Sequence, residues 1–161
     1  MSVGTADLQK AIVTAWNAST LNDSFAALGG IAPILNDQEV TPGQAYPYCV
    51  LPQSSLNINT RMSSTVVNTN RYIQDIEQSF IIHTSIVDGD SRTAKEIAAF
   101  LVEEVMKVFG GHPTVASTPL TLDNGNHLIT QYQRELPVRT GDDQYQWNID
   151  YNFRIDIPVM S

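Results

Sequence analysis

Trp147-Asn148-Ile149-Asp150-Tyr151-Asn152-Phe153-Arg154-Ile155-Asp156-Ile157 decides the fold. Every odd position in it is apolar, and every even position is polar or charged. A period of two sends successive side chains to opposite faces of a strand. One face is therefore a row of large hydrophobes and the other is wet. At ~3.3 Å per residue the run spans roughly 36 Å, about twice the common strand length. Burying its apolar face contributes on the order of 10 kcal/mol before chain entropy is subtracted. Such a strand needs neighbours on both edges and a layer over its apolar face.

The rest of the chain supplies candidates. Tyr72 to Val87 alternates in the same way, with Ile76, Phe80, Ile82 and Ile86 on one face and Asp75, Glu77, Ser79 and His83 on the other. It is the natural neighbour of the C-terminal strand. His127 to Leu136 reads as a third strand, with Leu128, Tyr132 and Leu136 on one side, and forms a hairpin with Trp147–Ile157. Ala45 to Leu51 is a short strand, and Pro47, which lacks an N–H, belongs at its start or at a sheet edge. Leu120 to Leu122 is a further short strand.

Two helices cover this sheet. Thr93 and Glu96 form a capping box for a helix that runs to Phe109 and stops at Gly110-Gly111. Its apolar stripe is Ile97, Phe100, Leu101, Val105, Val108 and Phe109, and Glu103 and Lys107 pair on its wet side. Thr5 caps a second helix, with Asp7 in its first turn and Leu8, Ile12, Ala15 and Trp16 on one face. Asn17 to Asp23 ends it, and Phe25 to Leu28 makes one helical turn before Gly29-Gly30. Ile31 to Leu35 is weakly apolar, and Thr41-Pro42-Gly43 is a β-turn. The expected class is α+β, a mixed and mostly antiparallel sheet under two helices in one domain spanning residues 1–161.

Residues 53–70 depart from this pattern, being rich in Ser, Thr and Asn. A long polar segment in a compact domain is functional or flexible. The segment reads either as a hairpin arm reaching out of the body or as an idle surface loop.

A chain of 161 residues with 42% hydrophobic content is a globular domain able to hold a core. Its net charge of −8, with nine scattered basic residues, argues against a partner held through phosphates. An acidic surface suits one that DNA must pass without sticking. The lone Cys49 excludes an internal disulfide and reads as a small buried hydrophobe. No run of ~20 apolar residues and no signal peptide is present, so cytoplasmic synthesis and assembly are expected.

Nothing in the sequence names a reaction. His83, His112 and His127 lack the i,i+3 or i,i+4 ligand partners of a helical metal site. Asp88-Gly89-Asp90 is a turn, because Arg92 and Ala94 break a calcium-loop pattern. Gly29-Gly30 and Gly110-Gly111 lack a following Gly-Lys-Ser/Thr, and the paired acids Glu103-Glu104 and Asp142-Asp143 fit a solvated surface.

The order of elements resembles the tail-terminator, or tail-completion, proteins of long-tailed bacteriophages and related minor tail proteins. The likeness rests on Tyr46-Pro47-Tyr48-Cys49-Val50, the strand Ile76–Ile86, the helix Ala94-Lys95-Glu96-Ile97-Ala98-Ala99-Phe100-Leu101, and the closing Trp147–Ile155 run. The resemblance implies a non-enzymatic virion protein without cofactor or metal. It implies a ring, usually a hexamer, that caps the tail tube and offers its other face to the head-completion protein, with DNA passing through the lumen. Within the 53–70 segment, Asn57, Arg61 and Asn68 are the expected contacts with neighbours or the lumen. Two alternatives follow: another ring-forming neck or tail-tube protein, or a small ligand-binding α+β protein or hydrolase with a pocket of converging His83, His127 or Asp side chains.

Overall fold

The computed structural model describes residues 4–30, 34–36, 40–52, 55–58, 71–117, 120–122, 127–139 and 143–158. In chain order these form α1 (Gly4–Ala18), α2 (Leu21–Ala27), β1 (Leu35–Asn36), β2 (Tyr48–Leu51), β3 (Ser55–Ile58), β4 (Arg71–Ser85), α3 (Ala94–Phe109), β5 (His127–Arg139) and β6 (Gln144–Pro158). The fold is α+β. Six strands make one sheet in the order β1-β2-β4-β6-β5, and β3 also pairs with β4. The β1–β2 pair is parallel; every other pair is antiparallel.

β4 and β6 are the spine. They pair without a slip from Arg71↔Pro158 to Ser85↔Gln144. Ile149, Tyr151, Phe153 and Ile155 of β6 are fully buried, as are Ile76, Phe80 and Ile82 of β4. The alternation read from sequence is thus the alternation of the sheet. Ile86 lies past the end of β4 and is 50% exposed, so it does not join that face. The same side of β4 buries two polar residues, Gln78 and Thr84. Gln78 Nε2 donates to the Pro52 carbonyl (2.7 Å), and Thr84 Oγ1 donates to the Ala94 carbonyl (2.7 Å). The second bond ties β4 to the start of α3, which is why a hydroxyl is tolerated there.

Thr93 Oγ1 accepts from the Glu96 amide, as the capping box requires. α3 buries Ile97, Ala98, Leu101, Val102, Val105 and Phe109 on the sheet. Phe100 is different: it is 38% exposed, under the Arg92 guanidinium at 5.2 Å. It sits one position off the buried stripe, and a cation over its ring compensates for exposure. Lys107 pairs with Glu104 (3.0 Å), one residue nearer than Glu103.

Among the described residues there are three helices, the third being the short α2 between α1 and β1. α1 begins at Gly4, so Thr5 lies inside its first turn and not before it. α2 begins at Leu21, because Leu21 and Phe25, four apart, both reach the core. Trp16 stands at the centre, with ring centroids 5.5 Å from Phe25, 6.3 Å from Phe80 and 6.4 Å from Phe109. The Tyr151 hydroxyl donates to the Gly110 carbonyl at the end of α3 (2.6 Å).

Other expectations are adjusted. β2 begins at Tyr48, directly after Pro47. Residues 120–122 are not a strand, although Leu122 enters the core. β5 slips by one residue between Tyr132 and Arg134. Leu128 and Tyr132 stand opposite the buried Ile155 and Tyr151, but Leu136 stands opposite Asn148, so the three do not share a row. The turns at Thr41–Gln44 and Val87–Asp90 close with main-chain bonds of 3.2 and 3.1 Å.

Candidate assembly surface

Among the described residues the helices lie on one face of the sheet and leave the other without a helix. On it, Asp75, Glu77, Ser79, Ile81 and His83 of β4 stand opposite Arg154, Asn152, Asp150, Asn148 and Gln146 of β6. These are the wet positions of the two alternating runs, and all are partly or fully exposed. Cross-strand bonds join them. Arg154 Nε donates to Asp75 Oδ1 (2.8 Å), and Ser79 Oγ donates to Asp150 Oδ1 (2.6 Å). Gln146 Nε2 donates along the strand to Asn148 Oδ1 (3.0 Å). Opposed pairs of this kind fix strand register without requiring a layer above them. The ladder holds three carboxylates, Asp75, Glu77 and Asp150, against one guanidinium, Arg154, so its field is negative.

Each end of the ladder is closed over. Ile73 is buried although it lies on the Asp75 side of β4. At the other end Leu35, Tyr48 and Val50 form a second, smaller apolar cluster with Tyr46, Val40 and Ile81. β2 thus divides its four buried residues: Cys49 and Leu51 go to the main core, Tyr48 and Val50 to this cluster. Burial pushes the Cys49 thiol up, out of the range of a nucleophile.

His83 stacks on Tyr48, with centroids 4.7 Å apart and planes 16° from parallel. Burial pushes its pKa below the ordinary 6.5. The unfolded chain then binds the proton more readily than the fold, so stability rises with pH and is lost as pH falls through the unfolded value. Thermal midpoints measured from about pH 7.5 to about pH 5.5 should therefore fall further in the parent chain than in His83→Gln. Equal falls would contradict the burial argument.

The sheet has two unlike edges. On one side lie the two-residue β1 and the four-residue β3. On the other is β5, thirteen residues long, whose outer side has no strand partner among the described residues. An unpaired strand of that length is a template for pairing with another chain.

Of the residues expected to make contacts, Asn57 lies on β3, opposite Asp75 in the register. Arg61 and Asn68 lie outside the described residues. Within the 53–70 segment, Ser55–Ile58 pairs with β4 and belongs to the sheet. The histidines do not converge. His83 is opposite Gln146 and His127 opposite Asp156, ten residues apart along β6, roughly 33 Å at strand rise. His112 follows α3 and lies near Trp147, across the sheet from His83. Among the described residues no group of three or more His, Cys, Asp or Glu could hold a metal ion. A groove of about 630 Å³ between α1 and the end of α3 is lined mainly by small residues such as Ala11, Thr14, Ala15 and Ala18, with Lys10 and Lys107.

No protein-family model matches this chain, and no curated protein matches it. Among solved structures it is similar to a chain of the virion of a native gene transfer agent (GTA) particle. The two are 21% identical with a TM-score of 0.57, and the alignment covers 96% of this chain and 99% of the other. The likeness is one of fold, and it runs from end to end.

Proposed function

We propose that this chain is a structural virion protein of the head–tail junction, one that closes into a ring on the end of a tail tube. The observation that carries the reading is the likeness to a chain of a virion particle over 96% of this chain and 99% of the other. The order of sequence elements, which resembles tail terminators, supports the finer assignment. A ring made by head-to-tail contacts needs two different surfaces on each copy. The unlike sheet edges, β5 on one side and β1 with β3 on the other, supply them. The polar ladder would line the lumen, where a negative field keeps DNA from adhering.

Capping follows from closure. A ring, a hexamer by the resemblance, occupies the growing end and hides the surface that the next ring of tube subunits would use. Its far side then meets the head-completion protein. The work is done by docking, without catalysis or cofactor, in a particle assembled in the host cytoplasm.

The test is electron microscopy of tube subunits from the same particle polymerised with and without this chain. The expected result is single rings from the chain alone or at tube ends, and tubes shortened as the chain is added. Repeated stacking into tubes by the chain itself would assign it to the tube instead. No ring and no effect on tube length would overturn the proposal.

A further inference from the structure

A second docking feature lies on the helix side, away from the sheet edge. A cavity of about 220 Å³ opens between α3 and the start of β6. Ala99, Val102, Met106 and Trp147 give it apolar walls, and Glu103 and His112 are its polar lining. The Trp147 indole N–H is buried and has no acceptor among the described residues. The other indole, that of Trp16, donates to Asn22 Oδ1 (2.7 Å). Because Trp147 lines the cavity, its indole resonance reports on whether the cavity is filled. His112 Nδ1 accepts from the Thr114 amide (3.2 Å), which leaves its Nε2–H as a donor. Glu103 is exposed and, unlike Glu104, is not the carboxylate bonded to Lys107.

Beside Ala99, the exposed Phe100 ring lies under Arg92. Asp90 holds that guanidinium through two oxygens, at 2.7 to 3.2 Å. Phe100, one residue along α3 from Ala99, is thus held under an anchored cation, and aromatic and Arg residues are enriched at interfaces.

We propose that this cavity docks a peptide segment of a partner protein carrying an aliphatic side chain next to a Lys or Arg. The aliphatic group fills the apolar walls, and the cation meets Glu103. A basic partner, rather than a second copy, is favoured by charge. The chain carries a net −8, and Arg92, Lys107 and Arg154 are already paired with Asp90, Glu104 and Asp75. The inference rests on the reading that the chain works by docking, but not on ring closure.

The experiment follows the two indole N–H resonances of the isotope-labelled full chain. The probes are the acetylated, amidated peptides Gly-Lys-Leu-Gly and Gly-Glu-Leu-Gly. The Lys peptide should move the Trp147 resonance saturably and leave Trp16 in place. It should bind roughly five-fold more tightly than the Glu peptide, a preference that Glu103→Gln removes. No saturable shift, equal binding of the two peptides, or a preference that survives Glu103→Gln would overturn the proposal. So would movement of the Trp147 resonance with protein concentration alone, which would show a second copy seated there. Ring formation is read separately by microscopy, so either proposal can fail without the other.

Discussion

Gly30→Ala should destabilise this protein by roughly 3 kcal/mol or more, the upper range for adding volume to a packed site. The added methyl would fall inside the contact shell of the Pro47 carbonyl oxygen, 2.9 Å from Pro47 Cδ and 3.0 Å from the Phe25 carbonyl oxygen. Two of these are main-chain atoms, so no side chain can rotate away. Gly30 also donates its amide to the Phe25 carbonyl (2.9 Å), which pins the end of α2 beside the entry to β2. Relief would have to separate those elements. Gly89→Ala is the control. Nothing lies within 4 Å of its added methyl, and its cost comes only from a φ of +82°, about 1–2 kcal/mol. Urea midpoints should separate the two variants clearly. Equal losses would show that the α2–β2 contact yields easily.

Trp16→Ala is expected to cost roughly 3–5 kcal/mol, as large-to-small changes in a core do. Trp16 is the residue through which α1 reaches Phe25 of α2, Phe80 of β4 and Phe109 of α3. Its indole also bonds Asn22 across the α1–α2 corner. Domain stabilities are only about 5–15 kcal/mol, and at about 2–4 °C per kcal/mol the midpoint should drop by roughly 6–20 °C. Trp16→Phe keeps an aromatic ring in the cluster and should recover much of the loss. If Trp16→Ala melts like the parent, the helices are not held to the sheet through this cluster.

The periodic parts of the fold were legible from sequence. The long runs in β4 and β6 could bury their apolar rows only as strands, and Thr93, Glu96 and Gly110 marked both ends of α3. What escaped was set by tertiary context. α2 has just Leu21 and Phe25 facing inward, too few for a periodic signal. β1 is two residues long and exists because β2 lies beside it. The slip after Tyr132 carries no local signature, yet it puts Leu136 opposite a different row. Phe100 looked like core because it is large and near the stripe; Arg92, eight residues earlier, draws it outward.

The candidate surface was half legible. The even positions from Asn148 to Arg154 were wet by alternation, but the bond between Arg154 and Asp75 depends on a register that only the fold supplies. Asn57 is placed on β3 by pairing, not by composition, while Arg61 and Asn68 lie outside the described residues. The cavity beside α3 was hidden because Trp147 belonged, by period, to the apolar row. It packs against the core from its margin, with its N–H unmet.

The proposed ring depends on β5 finding a neighbour along its outer side. Hydrogen exchange of the backbone amides of residues 127–139 tests this directly, compared between dilute chain and the assembled ring. Amides that face β6 should be slow in both states, whereas the alternate, outward amides should be fast in the dilute chain and slow by orders of magnitude in the ring. Outward amides that exchange equally fast in both states would contradict assembly through this edge.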